Sequence, residues 1–154
     1  MSGGKGGIGA GLMALALAAC SGPVLPEDAV EIEELARSTQ SQVANEWMQV
    51  VRSPEEFARI WAQTDRSGDA PEIDFEQEMV VAVFIGEYRT GGHSVRVREA
   101  EAREDGVRLG IRIELPGSGC MVTQAITRPY QIVRVPRMEG SVAFDITRER
   151  VDCD

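Results

Sequence analysis

Asp105-Gly106-Val107-Arg108-Leu109-Gly110-Ile111-Arg112-Ile113-Glu114-Leu115 decides the fold. Val107, Leu109, Ile111, Ile113 and Leu115 alternate with Arg108, Arg112 and Glu114, the period of a strand with one face in a core and one in water. Asp105-Gly106 in front of it is a two-residue hairpin signal, and the preceding strand is read at Val95 and Val97, alternating with Arg96 and Arg98. Pro116-Gly117-Ser118-Gly119 ends the run.

Working outward, Met79 to Ile85 is a continuous, valine-rich apolar stretch, short enough for a central strand buried on both faces. Gly91-Gly92, between this strand and the next, predicts a tight hairpin turn. Tyr130 to Val135 and Val142 to Ile146 read as two further strands, separated by Pro136 and Gly140. Val30 to Leu35 and Trp47 to Val51 are weaker strand signals. One helix stands out. Ser53 is its cap, Pro54 its first residue, Glu56 completes a capping box, and Phe57, Ile60 and Trp61 make one apolar face. It should end near Thr64, and a short capped turn should follow at Asp74 to Gln77. The sum is an α+β domain: a twisted antiparallel sheet, open or curled toward a barrel, covered by one main helix.

The N-terminal region reads differently. The apolar run Ile8 to Ala19 is too short to span a bilayer but suits the h-region of a signal. It ends in Leu17-Ala18-Ala19-Cys20, the pattern at which a bacterial lipoprotein signal is cut and the cysteine thiol acylated. The expected organisation is a lipoprotein signal peptide over 1–19, a tether over 20–29 containing Pro23 and Pro26, and a single domain over 30–154. An acyl anchor such as palmitate on Cys20 would hold the protein on a membrane. Ser21 stands where similar lipoproteins kept in the inner membrane often have aspartate. That resemblance implies the outer membrane, facing the periplasm. Gly4-Lys5-Gly6-Gly7-Ile8-Gly9 looks like the start of a phosphate loop, but no Lys-Ser/Thr pair and no preceding strand accompany it.

The formal net charge is -9, and removal of Lys5 with the leader takes it to -10. Such a chain is repelled by nucleic acid, which is excluded as a partner. Of three cysteines, Cys120 and Cys153 remain if Cys20 carries lipid. Two thiols in an oxidising compartment ordinarily pair, and closing residues 120–153 would add roughly 3 to 4 kcal/mol; two free thiols are the alternative.

Several segments together resemble one family. They are Ser53-Pro54-Glu55-Glu56-Phe57 with Trp61, Ile73-Asp74-Phe75 leading into Met79 to Phe84, Thr90-Gly91-Gly92-His93-Ser94-Val95, Gly119-Cys120-Met121-Val122-Thr123-Gln124-Ala125, and Pro129-Tyr130. Over residues 45–147 they are similar to the PrcB C-terminal domain family, named for a lipoprotein subunit of a bacterial surface protease complex. His93 stands where that family usually has a tyrosine-like ring. The resemblance implies an accessory, non-catalytic lipoprotein that binds a partner.

Chemistry in the residues themselves is sparse. A nucleophile needs a base held by an orienting group, and the single histidine leaves Cys120 with His93 as the one conceivable thiol dyad. One histidine without a Cys-x-x-Cys pair makes no ordinary zinc site. The acidic stretch Asp69, Glu72, Asp74, Glu76 and Glu78 lacks the spacing of a calcium loop. No catalytic residue, metal or cofactor is therefore assigned. The binding candidates are loop residues: Thr90, Gly91, Gly92, His93 and Ser94 in one, Met121 and Gln124 in the other. Met121 either projects to a partner or enters the core with Val122 as a strand. Arg96, Arg98, Arg108 and Arg112 either form a basic ladder or belong to a solvated face balanced by Glu99, Glu101 and Glu114. The expected function is a lipid-anchored envelope protein binding another envelope protein, such as a serine protease, as its subunit or regulator. The alternatives are a protease inhibitor acting through the Cys120 loop and a Cys/His thiol enzyme.

Overall fold

The computed structural model describes residues 3, 4, 6 and 29–153. Most of the expected signal peptide, Cys20 and all but the last residue of the expected tether lie outside the described residues. No described helix is long and apolar enough to cross a membrane.

The element order is β1 (Glu33–Ser38), β2 (Glu46–Val51), α1 (Pro54–Trp61), β3 (Glu78–Ile85), β4 (Ser94–Arg103), β5 (Gly106–Pro116), β6 (Tyr130–Pro136) and β7 (Ser141–Val151). They form two sheets, β1-β6-β3-β2 and β4-β5-β7. The first is wholly antiparallel. In the second, β4 and β5 make an antiparallel hairpin, while β7 runs parallel to β5 from Gly106↔Ser141 to Pro116↔Val151.

β3 shows why its sequence does not alternate. Met79, Val81, Val83 and Ile85 face the second sheet and pack with Val95, Val97, Leu109, Ile111 and Ile113. Val80, Ala82 and Phe84 face the other way, into a cluster with Phe57, Ile60 and Trp61 of α1. A strand covered on both sides needs apolar side chains at every position. The molecule is thus three layers: helix, four strands, three strands. α1 starts as its sequence dictates. Ser53 has extended backbone, and its hydroxyl accepts from the Glu56 amide at 3.4 Å. The turn after it also forms, with Asp74 accepting from the Glu76 amide at 3.0 Å.

Four expectations are corrected. The sheet is neither single nor curled into a barrel, because the segment after β6 carries the chain from one sheet to the other, where β7 adds in parallel. Gly91-Gly92 turns no hairpin, since β3 and β4 belong to different sheets. The β4–β5 turn residues are Glu104 and Asp105, with Gly106 already paired to Arg103. The last strand continues to Val151, well past Ile146, as an edge exposed on both faces in its second half.

Two side chains lock the sheets together. Buried Gln131 on β6 accepts from the Val97 amide at 2.6 Å, beside the β4 bulge, and donates to Glu34 at 2.6 Å. Each of its polar groups is satisfied, as a buried amide requires. Across the opposite edge, Arg148 on β7 donates to both oxygens of Glu46 on β2, at 2.6 and 2.7 Å.

Candidate functional site

The two sequence-predicted loops meet. The β3–β4 connection and the β5–β6 connection are joined by backbone hydrogen bonds. The Tyr88 amide donates to Thr127 O at 2.8 Å, the Thr127 amide returns to Tyr88 O at 2.9 Å, and the Gly91 amide donates to Thr123 O at 2.9 Å. The Thr127 hydroxyl donates to Thr90 O at 2.8 Å. This contact explains the glycine pair. A Cβ on Gly91 would run into the Thr123 hydroxyl; Gly92 has φ +86°, and a Cβ there would stand 2.9 Å from a Val122 methyl and 3.0 Å from Pro116. The glycines let one loop lie against the other.

The second loop is held at both ends. On its N-terminal side Cys120 is disulfide-bonded to Cys153, with Cα atoms 5.1 Å apart. The Cys120 amide donates to Gly117 O at 3.1 Å, and the Gly117 amide to Val151 O at 2.9 Å. On its C-terminal side the Arg128 amide donates to Thr39 O at 2.8 Å. Buried Tyr130, stacked on Phe84 with centroids 5.4 Å apart, donates its hydroxyl to Asp65 at 2.6 Å.

Between these anchors Met121 is 100 % exposed and Ile126 57 % exposed. Met121 does not enter the core; Val122 is the half-buried member of the pair. Gln124 lies exposed on the same loop, its amide 3.4 Å from Val122 O. Ser94 is half-buried and donates to Glu114 at 3.0 Å, so it belongs to the β4–β5 ladder more than to the loop surface. His93 turns toward its own loop. Its ring stacks on Tyr88 with centroids 3.9 Å apart and planes 18° apart, and Nδ1 lies 3.2 Å from Thr90 O. A flat ring serves this position. With Cys120 in a disulfide, the Cys120–His93 dyad has no nucleophile.

Two of the four ladder arginines, Arg108 and Arg112, are neutralised from two sides. Arg108 pairs with Glu101 at 3.4 Å and with Asp145, while Arg112 pairs with Glu114 at 3.2 Å and Glu149 at 2.7 Å. Asp145 and Glu149 come from β7, whose parallel pairing no sequence signal announces. Among the described residues, a cleft of about 1020 Å³ lies at the far end of β4, between residues 29–32 and 98–103.

The matched segment fits this geometry. Residues 79–136 match the PrcB C-terminal family model. The match begins in β3 and ends in β6, so it contains the β4–β5 hairpin and both joined loops. The Ser53–Phe57 and Ile73–Phe75 segments, which also carried the resemblance, lie outside it, as do β1, β2 and β7. No curated protein and no solved structure matches the chain.

The Tyr130 anchor gives the loop an acid-sensitive end. Burial pushes the Asp65 carboxyl up. Hydrogen bonds from Tyr130 and Ser38, its own backbone amide and the charge of Arg66 outweigh burial and hold it below its ordinary 3.8. A carboxyl lowered in the folded state contributes stability that is present above its unfolded pKa and lost as pH falls through the folded one. Asp65→Asn is therefore expected to cost about 1 kcal/mol at neutral pH. It should also flatten the loss of stability below pH 3.8. Urea midpoints measured from pH 6 to pH 2 check this; parallel curves for the two proteins would refute it.

Proposed function

We propose that this protein is a lipid-anchored envelope accessory protein. Its domain binds another envelope protein through the joined loops, as a subunit or regulator of a secreted protease. The anchor is Cys20, and the site of action is the outer membrane facing the periplasm. The observation that carries the binding reading is Met121, wholly exposed on a loop tied down on both sides. A loop braced in this way has its ordering cost met before a partner arrives, and an apolar side chain held on it gains by burial in that partner. The family match, which spans both loops, supports the same reading. The domain acts without catalysis of its own.

A photo-crosslinking residue at position 121, in the full chain in its native envelope, tests the proposal. Covalent capture of an envelope protein is expected from position 121 and not from Glu72, which is exposed elsewhere. Equal yields from both positions would refute it. Incorporation of labelled fatty acid that vanishes in Cys20→Ser tests the anchor.

A further inference from the structure

We infer that Met121-Val122 is a substrate-like bond, and that the loop carrying it is a pseudo-substrate for a serine endopeptidase with an apolar specificity pocket. The inference rests on the protein-binding reading above and names the partner's chemistry.

Cys120 to Thr123 carries neither helix nor turn, and Gly119, Met121 and Thr123 are exposed. Serine endopeptidases take substrates as extended segments and read one side chain in a pocket beside the bond they cut. Met121 presents such a side chain with no neighbour of its own. It is apolar, unbranched and easily fitted to a slot. A flexible loop meeting this description would be an ordinary cleavage site. This one is fixed immediately before and after the bond. Cys120 is bonded to Cys153 and its amide to Gly117 O. Val122 lies against Gly92, and Thr123 O accepts from the Gly91 amide at 2.9 Å.

Those anchors decide the outcome of attack. The enzyme's serine oxygen would add to the Met121 carbonyl carbon. Breaking the C–N bond to Val122 leaves an acyl ester on the serine and an amine on Val122, which takes the proton the serine gave up. In a peptide substrate the amine departs and water completes hydrolysis. Here the Val122 amine stays beside the ester because Thr123 remains bonded to Gly91 and Thr127 to Tyr88. It can attack the ester, restore the peptide bond and expel the serine, with no atom gained or lost. Water would give a Met121 carboxylate and a Val122 ammonium, still held together by the same anchors. Binding without release is inhibition.

The test uses the full chain carrying Cys20→Ser, with chymotrypsin for an apolar pocket and trypsin for a basic one. The native loop is expected to inhibit chymotrypsin, and Met121→Lys to move inhibition to trypsin. Met121→Asp should weaken it by about 100-fold, the scale of an interface hot spot. These substitutions leave the fold alone, since residue 121 touches nothing in it; an intact Cys120–Cys153 bond verifies that. Inhibition of either enzyme that depends on residue 121 supports the inference. No inhibition in either pair, or rapid and complete cutting after residue 121, overturns it. A crosslinked envelope partner that is not a peptidase would overturn it as well, while leaving the accessory function standing.

Discussion

Gly106→Ala is expected to lower the stability of the domain by about 3 kcal/mol or more, the range in which overpacking of a rigid site falls. The reason is backbone against backbone. Gly106 opens β5 beside Ser141, the first residue of β7. A Cβ there would overlap the Ser141 carbonyl and stand 2.7 Å from its nitrogen. No side chain can swing away to make room. The opposite wall is equally tight, because Gly140 has φ +92° and its own Cβ would come within 2.9 Å of Gly106 Cα. The Ser141 amide and hydroxyl both donate to Asp105 O, at 2.9 and 3.2 Å, which pins the strand start in place. Displacing it would draw Val142 and Phe144 from the core they flank and separate Asp145 and Glu149 from Arg108 and Arg112. Urea unfolding of Gly106→Ala against Gly119→Ala is the measurement. Gly119 has open space around its Cβ position, so its variant should stay within about 0.5 kcal/mol of the parent. Coincident midpoints for the two variants would show that β7 does not need this approach.

That same junction marks where sequence reasoning stopped. β5 was legible because its alternation is complete, β3 because its lack of alternation is itself a signature of double burial, and α1 because Ser53, Pro54 and Glu56 spell its start. Strand partners were not legible. Alternation states which residues share a face and is silent on which strand lies alongside or in which direction. β7 shows the cost. Val142, Phe144 and Ile146 alternate, but the Thr147 to Arg150 half is an edge exposed on both faces, so it carries no apolar period. Gly91-Gly92 had two physical meanings, a tight turn or a close approach of another segment, and the structure uses the second. Gln131 gave no signal at all, since an amide's worth depends on the Val97 bulge and Glu34 arriving from elsewhere. The candidate site was half legible. Glycines, proline and cysteine marked both loops, and the structure brings them together. The direction of Met121 was open, because Met-Val fits a strand as well as a projecting loop.

Replacing Cys120 and Cys153 together by serine is expected to cost about 3 to 4 kcal/mol, from the unfolded-chain entropy released when a bridge over a separation of 33 residues is removed. The double substitution leaves neither member of the pair behind as a lone thiol. The larger consequence lies at the loop. β5 and β7 remain paired through Pro116↔Val151, and Thr123 remains bonded to Gly91. The C-terminal anchors of the loop therefore survive while the anchor beside Met121 is lost. Freeing two or three residues there must be reversed on binding, at about 1 to 2 kcal/mol of ordering per residue. Crosslinking through residue 121 should accordingly fall at least about 10-fold even where the domain is fully folded. Comparing urea midpoints with crosslinking yields at 10 °C, far from unfolding, separates the two effects. A midpoint shift without loss of crosslinking would confine the bridge to stability. Loss of both would show that the bond between the last strand and the loop prepares the surface that meets the partner, because the remaining ties to the end of β7, the Gly117 amide on Val151 O at 2.9 Å and Arg150 on Pro116 O at 3.3 Å, act before residue 120 and leave Met121 free to move.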